Sequence, residues 1–219
     1  VQGSACSPII ANIFAHEVID EWMGTTVKDH CLGEIKMIRY ADDIVICCQY
    51  HQDAQRVKIA LARRLAKYGL KMNEAKTRLV KFSKREQRKG NRQETFDFLG
   101  FTFYYGKSRK GYYLVQLKTS KKRRYSKLKK ANEWARAIRN RISLNQIMKI
   151  AAAKVRGHVQ YYGVSHNYQA VDQFISRVTR ILFKWLNRRS QRKSFNWEQF
   201  NKYLDWIKFP QAKICHKLF

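Results

Sequence analysis

Two short β-rich runs with a pair of aspartates between them constrain the fold of this chain more than any other feature of its sequence. Residues 36–40 and 44–48 are rich in apolar and β-branched side chains, and Ala41-Asp42-Asp43 separates them. Aspartate is common in tight turns, so the pattern predicts a β-hairpin with the two carboxylates at its tip.

Helices are predicted on both sides of this hairpin. The first has Ser7 as its N-cap and Pro8 as its first helical residue, and its apolar face continues to about residue 22. The second covers about residues 54–68 and ends at Gly69. Short strands are predicted further along the chain, over residues 78–82, 96–105 and 112–117.

After residue 117 the strand pattern is replaced by helical periodicity. Residues 118–130 are dominated by charge and are predicted to form a basic connector that enters a helix at about 125–140. Ser143 and Gln146 form a capping-box pattern that opens a second helix, and a third helix is predicted over about 170–187. The predicted fold class is therefore α+β, with an antiparallel sheet in residues 1–120 and a three-helix α-helical domain in residues 121–219.

Positive charge is concentrated in the later part of the chain. The formal net charge is +29; residues 1–80 carry 11 Lys and Arg against 9 Asp and Glu, whereas residues 81–219 carry 34 against 7. Such a field attracts phosphate polymers and makes their binding dependent on salt, although an anionic membrane surface is a competing partner. The five cysteines show no zinc-ligand spacing, and no apolar run approaches 18 residues. Reduced thiols, a cytoplasmic location and no membrane-spanning segment are expected.

The adjacent carboxylates of Asp42 and Asp43 indicate a metal site. Two like charges on one turn repel each other unless a cation lies beside them, and Mg²⁺ is bound through one or two carboxylates together with substrate phosphates. A polymerase uses such an arrangement to place two ions around one phosphorus atom. The alternative is a solvated Asp-Asp turn that holds no metal.

Three further motifs accompany this turn, and together the four motifs resemble the reverse transcriptase family in order and spacing. They are QGSACSP at residues 2–8, YADD at 40–43, GLKMN at 69–73 with KT at 76–77, and FLGF at 98–101. The stretch VRGHVQYY at 155–162 is similar to the RGWxxYY stretch in the thumb, or maturase domain, of bacterial group II intron proteins, although His158 stands in place of the usual Trp. The resemblance implies a partial polymerase palm in residues 1–120 and a thumb or maturase domain in residues 121–219.

The resemblance also implies roles for individual residues. Asp42 and Asp43 would be Mg²⁺ ligands, and Lys76 would lie near the triphosphate, unless it is an ordinary solvent-facing lysine. Contacts with template, nucleotide or primer are implied for Gln2, Gly3, Tyr40, Ala41, Phe98, Leu99, Gly100, Lys121, Lys122, Arg123 and Arg124. The alternatives are a loop leading into a helix for Gln2 and Gly3, strand core for Phe98, and a solvated face for the basic residues.

The implied activity is RNA-directed DNA polymerisation. Its substrates would be an RNA template, a DNA or RNA primer and deoxynucleoside triphosphates, and its further partner would be the intron RNA that encodes the protein. A maturase that binds intron RNA without polymerising is the main alternative, and a related enzyme recruited to host defence or CRISPR spacer acquisition is the third. The family's two-metal site needs a further aspartate and a fingers region ahead of residue 1, so the 219 residues alone are expected to polymerise poorly or not at all.

Overall fold

The computed structural model describes residues 6–83, 94–108, 110–190 and 195–218, and its contacts divide the chain into two compact units. Residues 6–83 and Glu94 belong to the first unit, and the described residues from Thr95 onward belong to the second. The described part contains six α-helices and two small antiparallel sheets, which confirms the α+β class. None of its helices is long and apolar enough to cross a membrane.

The first unit is a long helical stretch, a β-hairpin and a second helix. In chain order its elements are α1 (Ser7–Ala15), two π-helical segments (His16–Asp20 and Met23–Val27), β1 (Ile35–Tyr40), β2 (Asp43–Cys48) and α2 (His51–Lys67). The hairpin and α2 agree with the sequence prediction, and Gly69, which follows α2, has a left-handed φ of 71°. The strand predicted over residues 78–82 is wrong, because this part of the chain contains no strand.

The core of the first unit lies between the π-helical segments and α2. It consists of Val18, Ile19, Met23, Val27, Val57, Leu61 and Leu65. Ile35 and Met37 of β1 pack against this core together with Ile44 and Ile46 of β2. Since the hairpin is anchored to the core through this apolar face, its tip is held in place by packing as well as by strand pairing.

The start of the first helix differs from the prediction. Cys6, and not Ser7, is its N-cap residue, and Ser7 already belongs to the helix. The predicted apolar face is also exposed in this part: Ile10 and Ile13 are 63% and 59% exposed, whereas Val18 is buried. The π-helical segments shift the side chains that follow relative to α1, so only the later apolar residues reach the core.

The second unit begins with a three-stranded antiparallel sheet made of β3 (Phe96–Phe98), β4 (Phe101–Lys107) and β5 (Tyr113–Thr119). The single strand predicted over residues 96–105 is therefore two strands. Leu99 and Gly100 both have positive φ angles, 49° and 81°, so the chain reverses between Phe98 and Phe101, which pair with each other. Positive φ at both central residues is the pattern of a type I′ hairpin turn.

Helices complete the second unit. They are α3 (Lys121–Ile138), α4 (Leu144–Tyr162), α5 (Tyr168–Leu186) and α6 (Trp197–Trp206). The capping box of Ser143 and Gln146 is confirmed. Two predictions are corrected: residues 121–130 are the start of α3 and not a connector, because Ser120 caps the helix there, and α6 is a fourth helix that was not predicted.

The sheet and the helices of the second unit share one core, so the division between units falls near residue 95. Phe101 packs against the helical core, and Thr119 at the end of β5 bonds to the buried Asn167. Gly163 at the end of α4 accepts hydrogen bonds from the backbone N–H groups of Cys215 and His216. The bounds 1–120 and 121–219 for a functional palm and thumb stay a prediction.

Candidate active site and nucleic-acid interface

The tip of the first unit's hairpin carries the two carboxylates on a constrained turn. Tyr40 pairs with Asp43, which leaves Ala41 and Asp42 as a two-residue loop. Of these two, Ala41 has a positive φ, 54°. A turn with positive φ at its first central residue only is type II′, in which glycine is preferred because a side chain adds strain. Such strain persists only where the surrounding structure holds the backbone in place.

Arg39 supplies that restraint, and sequence reasoning did not identify it. Its Nε and Nη2 atoms donate to the two carboxylate oxygens of Asp20 at 2.7 and 2.6 Å. Its Nη1 atom donates to the Asn12 side-chain oxygen at 3.0 Å and to the Ala41 carbonyl at 3.1 Å. The hydrogen bonds from Arg39 hold the pKa of the Asp20 carboxyl below its usual value. One guanidinium therefore ties the carboxylate-bearing turn to the helical stretch.

Asp42 and Asp43 have the properties that a divalent cation needs. Both side chains are exposed, and neither has an ion-pair partner in the described part of the chain. Carboxylate oxygens are the ligands that Mg²⁺ prefers, with phosphates and water filling the remaining positions. The described residues contain no group of three or more His, Cys, Asp or Glu side chains that could hold a metal. Two adjacent carboxylates can supply only part of the coordination of such an ion, and phosphate or water would supply the rest.

The other predicted residues of the first unit have no recorded bond to this turn or lie outside the described residues. Lys76 is exposed and lies in a turn in which its backbone N–H and that of Thr77 donate to the Asn73 carbonyl. No recorded hydrogen bond or ion pair of the described residues joins the Lys76 side chain to Asp42 or Asp43. Gln2 and Gly3 lie outside the described residues.

The Leu99–Gly100 turn lies at the edge of the second unit beside the start of α3. Phe98, Leu99 and Gly100 are all partly exposed. A Cβ atom on Gly100 would lie 2.7 Å from the Tyr162 hydroxyl oxygen and 3.6 Å from Cγ of Arg123, so this position is restricted to glycine by space as well as by φ. The structure thus brings the FLGF segment and one of the predicted basic residues together.

The first turns of α3 present unpaired positive charge. Lys121, Lys122 and Arg123 are exposed, and no acidic side chain of the described residues pairs with them. Arg124 is partly buried and donates to the Gln173 side chain. Tyr125, which follows them, is 74% exposed. Exposed cations with an exposed aromatic ring suit phosphate contact and base stacking.

His158, which occupies the position of the tryptophan in the motif, is a buried neutral ring. It is 3% exposed and stacks on Phe174 with ring centroids 3.6 Å apart. Its Nδ1 atom lies 3.5 Å from Nζ of Lys127, and its Nε2 atom has no hydrogen-bond partner among the described residues. Burial, with a smaller effect of Lys127, lowers the pKa of His158 to about 3. The ring therefore acts in packing, as an aromatic residue would.

Replacing His158 by phenylalanine should stabilise the protein, and more so in acid. The folded state keeps the ring neutral, whereas the unfolded state protonates it below about pH 6.5, so wild-type stability falls as the pH drops from about 6.5 towards 3. Phenylalanine removes this loss and also removes an unpaired buried donor, which costs about 1–3 kcal/mol. We expect His158→Phe to raise the free energy of urea unfolding by a larger amount at pH 5 than at pH 8.

The exposed His30 provides the matched control, since His30→Phe changes the same atoms at a position open to solvent. The two variants are compared by how far the effect of each on the free energy of unfolding changes between pH 8 and pH 5, and the larger change is expected for His158→Phe. An equal effect of His158→Phe at the two pH values would contradict a ring that stays neutral in the folded state.

Comparison with known families concerns the earlier part of the chain, which contains the hairpin. An exposed pair of carboxylates on a braced turn is an arrangement that can bind a divalent ion. Residues 1–103 match the family model described as reverse transcriptase (RNA-dependent DNA polymerase). This part of the chain, slightly under half of its length, is therefore similar to reverse transcriptase domains, whose general class of activity is RNA-directed DNA polymerisation. Members of the family generally use divalent metal ions. A search of the curated proteins gave no match.

Proposed function

We propose that this chain is the palm and thumb part of a bacterial group II intron reverse transcriptase, a cytoplasmic enzyme that extends a primer on an RNA template with Mg²⁺. The observation that carries the proposal is the pair of exposed carboxylates, Asp42 and Asp43, on a turn that Arg39 holds. A module that only binds RNA has no use for two adjacent negative charges, because they repel a phosphate polymer.

Each of the residues that the resemblance implies has a distinct proposed task. Asp42 and Asp43 would hold divalent ions, which would supply activation of the primer 3′-hydroxyl and stabilisation of the leaving pyrophosphate. Ala41 leaves space beside the nucleotide because its side chain is small. Lys76, on its exposed turn, neutralises triphosphate charge. The Leu99–Gly100 turn contacts the primer end, and its glycine allows a close approach of backbone to nucleic acid.

The intron-related part of the proposal rests on the second unit. The stretch from Val155 to Tyr162 that resembles the maturase motif forms the later half of α4. The unpaired cations of α3 would contact the phosphates of the template–primer duplex and of the intron RNA, and such contacts position nucleic acid without reading its sequence. The same cations favour a second candidate function, a maturase that binds its intron RNA without polymerising.

Primer extension decides between these functions. The protein is incubated with Mg²⁺, deoxynucleoside triphosphates and a DNA primer annealed either to an RNA template or to a DNA template of the same sequence. Extension on RNA supports the polymerase. Tight, salt-sensitive binding of intron RNA without any extension supports the maturase. Equal binding of intron RNA and an unrelated RNA of the same length contradicts the intron partner.

The length of the chain that is tested matters for this assay. Asp42 and Asp43 supply two carboxylates, whereas two metal ions in one site require more oxygen ligands than an adjacent pair offers. We therefore expect the 219 residues alone to extend primers poorly, and a longer protein that adds a further aspartate before residue 1 to extend them well. Processive synthesis by the 219 residues alone would contradict this part of the proposal.

Replacing Arg39 by lysine should weaken the response to Mg²⁺. Lysine keeps the charge but cannot bond Asp20 through two parallel N–H groups and also reach the Ala41 carbonyl. Because the turn then loses its restraint, we expect the Mg²⁺ concentration for half-maximal extension to rise about tenfold, the scale seen when groups that orient metal ligands are removed. Arg64→Lys is the control, since Arg64 bonds the Val18 carbonyl away from the turn. Equal Mg²⁺ responses of the two variants would contradict the role of Arg39.

A further inference from the structure

The Leu99–Gly100 turn has a conformation that its own sequence does not favour. Both residues have positive φ angles, and a leucine in the left-handed region costs about 1–2 kcal/mol. Glycine at position 100 removes the cost at one position only. The turn is also partly exposed and so is not held by burial in the core. Contacts from outside the hairpin must therefore help to fix its shape.

Those contacts come from the helical part of the same unit. The Tyr161 hydroxyl, near the end of α4, donates to the Leu99 carbonyl at 2.9 Å. The backbone N–H of Ser120 donates to the Gly100 carbonyl, also at 2.9 Å. Both carbonyls of the turn therefore accept a hydrogen bond from beyond the hairpin strands, and the Tyr162 hydroxyl fills the space beside Gly100.

The bond from Tyr161 contributes little to overall stability. Its side chain is about half exposed, and a hydrogen bond of this kind contributes about 0.5–1.5 kcal/mol. The Tyr161 ring makes a separate contact, stacked on Phe101 with centroids 5.7 Å apart, which does not involve the hydroxyl. The hydroxyl thus serves the orientation of the turn, whereas the ring serves packing.

Ser120 connects the same turn to the cationic start of α3. Its side chain accepts from the Arg123 backbone N–H and caps the helix, while its own N–H bonds the turn. A nucleic acid that contacts Lys121 and Lys122 therefore contacts the same short segment that holds Gly100. The turn is bonded on one side to the end of α4 and on the other side to the first residues of α3.

We propose that Tyr161 is a positioning residue, whose hydroxyl holds the Leu99–Gly100 turn in the orientation that the primer end requires. This inference rests on the proposed function, because it gives the turn the role of contacting the primer. It adds that α4 sets the geometry of that contact. The hydroxyl does not touch the reacting atoms; it acts through the Leu99 carbonyl.

Tyr161→Phe tests the proposal because it removes the hydroxyl and keeps the ring. In the protein that extends primers, we expect kcat for extension on an RNA template to fall between about 10- and 100-fold, as for small misplacements of reacting groups. The Kd for the template–primer should stay unchanged, and the free energy of unfolding should fall only slightly, because a single half-exposed hydrogen bond is lost. Tyr203→Phe is the matched control: it removes a hydroxyl that donates to Asn145 at 3.2 Å, at the opposite end of α4.

Hydrogen exchange of residues 98–101 without nucleic acid gives a second measurement that does not depend on activity. Faster exchange in Tyr161→Phe but not in Tyr203→Phe, together with the fall in kcat, supports the proposal. Unchanged exchange, or faster exchange with unchanged kcat, overturns it. If the wild-type protein does not extend any primer, the proposed function fails and the positioning role fails with it. Exchange still reports separately whether Tyr161 holds the turn.

Discussion

Asp42→Asn is expected to abolish primer extension while leaving the protein folded. Asparagine keeps the size of the side chain but removes the charge that binds a divalent ion. We expect the extension rate to fall by two or more orders of magnitude, roughly the scale seen when a group that stabilises transition-state charge is removed. Stability should stay equal or rise slightly, since Asp42 and Asp43 are adjacent, exposed and unpaired among the described residues.

A matched variant makes this result specific. Asp29→Asn removes one negative charge from another exposed position in the first unit, outside the hairpin strands and their turn, and should extend primers at the wild-type rate. Both variants are compared on an RNA template over a range of Mg²⁺ concentrations. Wild-type extension by Asp42→Asn would exclude Asp42 as a metal ligand, whereas equal losses in both variants would indicate a general effect of charge.

Asn167→Leu is expected to give the largest loss of stability among single changes in the second unit. Asn167 is completely buried. Its Oδ1 atom accepts from the Thr119 N–H at 2.8 Å, and its Nδ2 atom donates to Thr119 Oγ1 at 2.9 Å and to the Tyr162 carbonyl at 2.8 Å. Leucine has a similar size but leaves these buried groups without partners, so we expect a loss of about 3–5 kcal/mol.

The loss of stability should be measured at the contact between Thr119 and Asn167 as well as for the whole protein. Urea unfolding gives the free energy, and hydrogen exchange of the Thr119 amide reports whether the end of β5 opens. Asn145→Leu is the control, because Asn145 is exposed and its recorded side-chain bond is a single one with Tyr203. A loss below about 1 kcal/mol for Asn167→Leu, similar to a surface substitution, would contradict the role of this side chain in joining sheet and helices.

Local patterns were sufficient to predict the hairpin that carries the carboxylates. Its turn residues, its strands and the capping box at Ser143 depend on neighbours a few positions away. The same capping-box pattern occurs at Asn196 and Gln199, where α6 begins, so the sequence did contain a signal for the helix that was missed. A helix or strand could be predicted from the sequence wherever it depends on residues a few positions away.

The contacts that hold the Ala41–Asp42 turn and the Leu99–Gly100 turn, and the contacts of Asn167, were harder to predict from the sequence. Arg39 gave a signal that was overlooked: it alternates with Ile35 and Met37 on the inner face of β1, and a charged residue on such a face requires a partner. The bond from Tyr161 to Leu99 spans 62 positions and the bonds between Asn167 and Thr119 span 48, and no local pattern indicates contacts across such distances. The turn at Leu99 was hidden because FLGF lies within a continuous run of strand-forming residues.

The bonds from Cys215 and His216 to Gly163 have a consequence for synthesis of the protein. They join the end of α4 to residues that the ribosome adds more than fifty positions later, and the His216 ring also reaches the Gln160 carbonyl at 2.8 Å. During translation α4 can form early, but its last turn remains without these partners until residue 216 has emerged. Tyr161 lies in that last turn, so a chain released before Cys215 would carry a less firmly held Leu99–Gly100 turn.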